Sequence, residues 1–275
     1  MKKFEGILIC TDLDGTLLRN DKSISKKTLN AIEYFKSEGG YFTFITGRMP
    51  YFVKSIYETV KPNAPLGCGN GGAVYDLKKM EYVSYIELSK EAMELVRAVD
   101  EAVEDVGIQI YTLDGIYFSR NNAAMEHFRV LTGMPNVVKH YDEVTEVVTK
   151  IVFGDMREEA IQRIKEVLDN HPKSAKFDYI RSEKTLYEIL PKGVNKGSVL
   201  PEFSKYLGVK PSHIIGVGDY NNDVEMIKNA GVGVAVSNAT EAAKAVADYI
   251  TVSNEENAIA QIISDIENGK IVFQN

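Results

Sequence analysis

The chain has 275 residues, 44% of them hydrophobic and 26% charged, the balance of an ordinary globular protein. Its formal net charge of −7 and lack of a long basic run argue against nucleic acid or an anionic membrane as a partner. No apolar run nears the roughly 20 residues of a membrane span, no signal-peptide pattern opens the chain, and Cys10 and Cys68 make neither a zinc site nor a disulfide framework. A cytoplasmic protein is the expectation.

Gly6-Ile7-Leu8-Ile9-Cys10 reads as a buried strand that opens onto Thr11-Asp12-Leu13-Asp14-Gly15-Thr16. A helical pattern from Ser25, with Leu29, Ile32 and Phe35 on one face, ends at Gly39-Gly40. Tyr41 to Ile45 is a second strand, stopped by Thr46-Gly47-Arg48, and Pro50 suits the start of the helix that follows. Leu66 to Val74 reads as one further strand interrupted by glycines. This alternation predicts a parallel sheet flanked by helices. The middle of the chain changes character. A helix over Glu91 to Val106, a hairpin around Leu113-Asp114-Gly115, a helix from Ala123, a strand at Lys150 to Phe153, a helix from Arg157 and a second hairpin across Ser182-Glu183-Lys184 predict an α+β unit. From Val194 the α/β rhythm returns: a helix near Gly197 to Leu207, a strand His213 to Val217, a helix from Asp223, strands at Val232 and Tyr249, and a closing helix over Glu256 to Ile266. The expected fold class is α/β, a Rossmann-like parallel-sheet core built from residues 1–82 and 189–275, with an α+β cap domain inserted at 83–188.

Two segments far apart in sequence share one design. The Asp12–Asp14 loop and Gly218-Asp219-Tyr220-Asn221-Asn222-Asp223 each follow an apolar strand. Parallel sheets gather such loops at the C-terminal ends of their strands, so four aspartates are expected around one point. That density calls for a cation, and hard oxygen ligands favour Mg²⁺. Asp12 and Asp14, two apart in an extended segment, should lie on one side and suit a nucleophile and a general acid/base. An EF-hand reading fails, since Thr16 and Ser23 stand where further ligands belong. Thr46 and Gly47, at a strand end before a helix, can hold a phosphate oxygen. Lys196, flanked by Asn195 and Gly197, can meet an anion as a point charge. Asp219 is the natural metal ligand of its loop; Asn222 and Asp223 could equally be helix caps. Together these groups support phosphoryl transfer through a carboxylate nucleophile.

In this order the four segments resemble the motifs of the haloacid dehalogenase superfamily of Mg²⁺-dependent phosphatases. Asp12-x-Asp14-Gly15-Thr16 looks like the first motif, Thr46 the second, Lys196 the third and Gly218-Asp219-x-x-Asn222-Asp223 the fourth. The large insert, Asn70-Gly71-Gly72 and the stretch Glu188 to Gly197 are similar to the Cof-like sugar-phosphate phosphatases. The resemblance implies that Asp12 is the nucleophile and Asp14 the acid/base. It implies Mg²⁺ on Asp12, Asp219 and the main-chain carbonyl of Asp14. Thr46, Gly47, Lys196 and Asn222 would hold the phosphoryl group, Asp223 would orient Lys196 or a metal-bound water, and Arg48 is a candidate contact for the leaving group. The insert would be a mobile cap. The partner implied is a small phosphorylated metabolite, with no nucleic acid and no membrane, and the protein is expected to be a monomer or weak homo-oligomer. A phosphomutase of the same superfamily is the alternative enzyme. A non-catalytic phosphoaspartate module has no need of Asp14, a glycosyltransferase leaves Lys196 and Asp219 idle, and a dehalogenase has no use for the metal.

Overall fold

The computed structural model describes residues 2–133 and 135–273. The chain divides into two compact units, residues 1–84 with 195–275, and residues 85–194.

In chain order the first unit begins with β1 (Leu8–Thr11), α1 (Lys26–Ser37), β2 (Tyr41–Phe44), α2 (Lys54–Val60), β3 (Leu66–Cys68), β4 (Ala73–Asp76) and β5 (Glu81–Tyr85). The second unit holds α3 (Ala92–Ala102), β6 (Gly107–Thr112), β7 (Ile116–Arg120), α4 (Ala123–Thr132), β8 (Val148–Gly154), α5 (Glu158–Asn170), β9 (Phe177–Glu183) and β10 (Leu186–Pro191). The chain then completes the first unit with α6 (Leu200–Leu207), β11 (Ile214–Gly218), α7 (Val224–Asn229), β12 (Val232–Val236), α8 (Glu241–Ala245), β13 (Tyr249–Thr251) and α9 (Ala258–Glu267).

The first unit is built on a parallel sheet of order β13-β12-β11-β1-β2. All four residues of β1 are buried, as an inner strand covered on both faces must be. The chain leaves β1 toward β2 on one side, while β11, β12 and β13 extend the sheet on the other. Such a reversal of strand order opens a crevice at the C-terminal strand ends. Ser25 caps α1 through a 3.0 Å bond from the Thr28 N–H, where the helical pattern was expected to start. The stretch read as one strand over Leu66 to Val74 is instead an antiparallel pair, β3 and β4, joined by a tight turn at Gly69–Gly71. Left-handed backbone at Gly69, Asn70 and Gly71 folds the chain back there. The helix expected to reach Val106 stops at Ala102, because Val103 is extended and Asp105 takes a left-handed conformation.

The second unit is an antiparallel sheet of order β7-β6-β8-β10-β9. Leu95, Val96 and Val99 of α3 and Ile161, Ile164 and Leu168 of α5 are buried with Ile108, Ile110, Ile151, Phe153 and Ile189 of the sheet. Among the described residues, no helix is long and apolar enough to cross a membrane.

Candidate active site

The C-terminal ends of β1, β2 and β11 deliver three loops to one place, all in the first unit. Asp12 follows β1, and its N–H donates to the Val217 carbonyl of β11 at 2.9 Å, so the nucleophile candidate is registered on the neighbouring strand. Thr46 lies just beyond β2, with its N–H on the Gly67 carbonyl at 3.0 Å. Asp219 directly follows β11.

Lys196 is the centre of the arrangement. Its Nζ donates to Asp12 Oδ1 and to Asp223 Oδ1, each at 2.6 Å, and it is only 1% exposed. Asn195 caps the short turn that carries it, accepting from the Gly197 N–H at 2.9 Å. Two close approaches fix that turn. A Cβ on Gly71 would fall 1.9 Å from the Asn195 carbonyl oxygen, and one on Gly197 would fall 2.5 Å from the Glu225 carbonyl oxygen of α7.

Asp223 is wholly buried, and its second oxygen accepts the N–H groups of Asp219 at 3.0 Å and Tyr220 at 2.9 Å. It therefore shapes the Asp219 loop as well as holding Lys196. Asp219 accepts at Oδ1 from the Thr16 hydroxyl at 2.7 Å. Among the described residues, Asp12 Oδ2 and Asp219 Oδ2 receive no hydrogen bond. Carboxylate oxygens of Asp12, Asp219 and Asp223 lie within 4.8 Å of one another.

Three carboxylates thus face one internal cation. Burial, reinforced by Asp223, pushes the Asp219 carboxyl up to about 6. Burial also pushes Asp12 well above the ordinary carboxylate value, against the pull of Lys196. Burial opposes the charge of Lys196 too, but Asp12 and Asp223 outweigh it and raise its pKa. A buried cluster with surplus negative charge and hard oxygen donors fits a divalent cation of the Mg²⁺ kind.

Asp14 departs from the expectation of four aspartates at one point. The structure brings carboxylate oxygens of three together, and the Asp14 carboxylate is instead bonded to Arg48 and Lys22. Arg48 grips it through Nε at 3.0 Å and Nη2 at 2.8 Å, and Lys22 Nζ adds a 2.8 Å bond. Burial works against its charge, but Arg48 and Lys22 prevail and hold it below the ordinary carboxylate value. The physical reason is charge: the Arg48 guanidinium and the Lys22 ammonium hold the Asp14 carboxylate in direct ion pairs. Arg48 is held in turn, its N–H donating to Thr46 Oγ1 at 3.2 Å. Asn222 Nδ2 donates to Asn70 Oδ1 at 3.2 Å, and a Cβ on Gly47 would lie 2.9 Å from the same oxygen, so Asn70 joins the second and fourth loops. Sequence reasoning gave no role to Lys22 or to the Thr16 hydroxyl. Thr16 stood inside the first motif; Lys22 carried no signal.

The fold and these loops match known proteins over nearly the whole chain. Residues 9–263 match the haloacid dehalogenase-like hydrolase family, and the chain belongs to that family. Its Cof-like phosphatase group, expected from the sequence, holds. The chain is 30% identical over 262 residues to a Bacillus subtilis 5-amino-6-(5-phospho-D-ribitylamino)uracil phosphatase, covering 94% of this chain and 96% of the relative. It is 29% identical over 233 residues to an HMP-PP phosphatase of Yersinia pseudotuberculosis, covering 84% of each. Among solved structures, a haloacid dehalogenase-like hydrolase from Bacteroides thetaiotaomicron superposes with a TM-score of 0.84 at 25% identity, covering 96% of this chain and 99% of that one.

Proposed function

We propose that the protein is a Mg²⁺-dependent phosphatase that hydrolyses small phosphorylated metabolites, sugar phosphates foremost, through an aspartyl-phosphate on Asp12. The observation that carries this reading is the asymmetry of the Asp12 carboxylate. One oxygen is fixed by Lys196 and the other receives no bond among the described residues, inside a cluster suited to a cation. Relatives named as phosphatases of a phosphoribitylamino-uracil and of HMP-PP support the substrate class.

Asp12, Asp219 and the Asp14 main-chain carbonyl would hold Mg²⁺, which when bound would supply charge neutralisation for the carboxylates and the phosphoryl group. Lys196, Thr46, Gly47 and Asn222 hold the phosphoryl group, and Asp223 keeps Lys196 and the Asp219 loop in place. The Asp12 carboxylate attacks phosphorus, an acyl-phosphate bond forms, and the ester P–O bond breaks. Asp14 gives its proton to the leaving alkoxide, then takes one from the water that hydrolyses the aspartyl-phosphate. Asp14 must therefore carry a proton when the ester breaks, which its bonds to Arg48 and Lys22 oppose. An incoming phosphate dianion is a competing acceptor for both cations, so Arg48 can exchange Asp14 for substrate. The inserted unit, read as a cap, is assigned the sorting of substrates.

Protein stripped with chelator should release no phosphate from p-nitrophenyl phosphate and should recover with Mg²⁺. Asp12→Asn should abolish turnover and phosphoenzyme trapping. Phosphate should accumulate without a bisphosphate activator, which separates hydrolysis from the mutase alternative. Full turnover in excess chelator, or by Asp12→Asn, would sink the reading.

A further inference from the structure

The loop after β12 carries none of the four motifs, yet it ties two of the acid-bearing loops together. Asn238 Nδ2 donates to the Gly15 carbonyl at 2.8 Å. Two residues on, the Thr240 N–H donates to the Asp219 carbonyl at 2.8 Å. The Thr240 hydroxyl also reaches Asn221 Oδ1 at 3.3 Å. Residues 237–240 thus hold the chain beside Asp14 and the chain at Asp219 in one frame. Asn238 is itself anchored, its Oδ1 accepting the Asn254 N–H at 3.0 Å. Asn254 is buried and donates through Nδ2 to the Leu18 carbonyl at 3.0 Å and to Asn20 Oδ1 at 3.2 Å.

Gly15 is where such a bond has most effect. Its φ is +84°, and a Cβ there would lie 2.5 Å from Asp219 Oδ2, so only glycine lets the first loop come this close. The same freedom makes its backbone the softest link between Asp14 and Thr16. Yet Thr16 must place its hydroxyl on Asp219 and Asp14 must stay at the site. A bond to the Gly15 carbonyl fixes the peptide plane between Gly15 and Thr16, removing that softness.

We propose that Asn238 is a positioning residue for the phosphatase reaction: acting through the Gly15 carbonyl, it sets the placement of Asp14 relative to Asp219. It touches neither substrate nor reacting atoms, and the proposal rests on Asp14 being the acid/base. The competing role is architectural, in which Asn238 serves only to anchor Asn254. Asn238→Asp separates the two. A carboxylate keeps the acceptor for the Asn254 N–H, loses the donor to Gly15 and turns a negative charge toward that carbonyl. Asn238→Ala removes both bonds. Asn238 is exposed, so neither change opens the core.

The test compares both variants with wild type on p-nitrophenyl phosphate and glycerol phosphate in saturating Mg²⁺, with thermal midpoints measured alongside. Asn238→Asp is expected to lower kcat on the alkyl ester by on the order of tenfold or more, the scale of a misplaced catalytic group. Its loss on the nitrophenyl ester should be under about threefold, because that leaving group needs no proton. KM for both esters and the midpoint should stay near wild type. Equal losses on the two esters would overturn the proposal, as would a loss in Asn238→Ala with none in Asn238→Asp. Wild-type turnover of the nitrophenyl ester tests the phosphatase reading separately.

Discussion

Asp14 and Asp219 show how environment divides the work of identical side chains. Asp14, gripped by the Arg48 fork and Lys22, is held ionised at rest, whereas burial beside Asp223 raises Asp219 to about 6. For Asp14, replacement by Asn keeps the shape and removes the proton. Asp14→Asn should slow alkyl phosphate hydrolysis by at least ~10²-fold, the lower range for a lost general acid. Nitrophenyl phosphate should suffer less, and steady-state kinetics showing equal losses would contradict the acid role. For Asp219, the sign follows from linkage. Its folded pKa lies above the ordinary value of 3.8, so between that value and about 6 the folded protein binds more protons than the unfolded chain. Asp219 should therefore contribute a loss of stability to the metal-free protein as pH rises through this window, absent from Asp219→Asn. With Asp219 as a ligand of the proposed Mg²⁺, proton and cation would compete for the same carboxylate, so stabilisation by Mg²⁺ should grow as pH rises from 5 to 7. Thermal midpoints with chelator and with Mg²⁺ across that range measure both slopes; a Mg²⁺ effect that shrank with rising pH would remove Asp219 from the metal site.

At the level of elements, strand ends place the acids, while turns of unusual backbone bring their supports within reach. The strand-and-loop units ending in Asp12, Thr46 and Asp219 were legible because each is a short apolar run followed at once by polar residues. The β3–β4 pair was not, since glycines at 67, 69, 71 and 72 blur the boundary between a broken strand and a turn. β5 and α8 also escaped, the first because its residues are half-exposed or exposed, the second because it is only five residues long. In the hairpins of the second unit the Tyr117 hydroxyl donates to Glu146, and Arg181 pairs with Glu158. The Gly69–Gly71 turn has a measurable role, because Gly71 combines a φ of +93° with its close approach to Asn195, next to Lys196. Gly71→Ala should destabilise the protein by about 2 kcal/mol or more, from backbone strain plus forced displacement, and should lower kcat by moving Lys196. Gly193 is the control. Its φ is +80° but a Cβ would meet nothing within 4 Å. Gly193→Ala should cost about 1–2 kcal/mol, the left-handed penalty alone, with kcat unchanged. Urea midpoints and kcat for the pair check this, and equal kcat losses would show that the close approach does not set Lys196.

On the scale of the whole molecule, the buried residues sort by unit. One set of apolar side chains runs from Phe4 to Tyr75 and from Ile215 to Ile271, a second joins Leu8 and Ile45 to Phe203 and Met226, and a third lies wholly between Leu88 and Ile189. The sequence reading of an insert rests on the change from α/β to α+β rhythm, since hairpins and crossover helices have different hydrophobic periods. The return point is harder to read. The sequence reading has the core resume at residue 189, whereas β10 runs to Pro191 in the second unit's sheet, and Asp178 accepts from Lys192 and from the Gly193 N–H. Contacts such as Asn238 to Gly15, 223 residues apart, leave no local trace at all. Because each unit carries its own apolar core, each meets the physical requirement for folding alone. Replacing residues 85–194 by a short Gly/Ser linker keeps Asp12, Asp14, Thr46, Lys196 and Asp219 together in the first unit. Once circular dichroism confirms that it folds, this core should keep weak Mg²⁺-dependent turnover of p-nitrophenyl phosphate. It should lose the full chain's preference among phosphorylated metabolites, because general phosphate contacts do not distinguish one leaving group from another. A folded core that kept the same ranking of substrates would place specificity in the first unit's own loops, around Arg48 and Asn70, and would remove the sorting role from the insert.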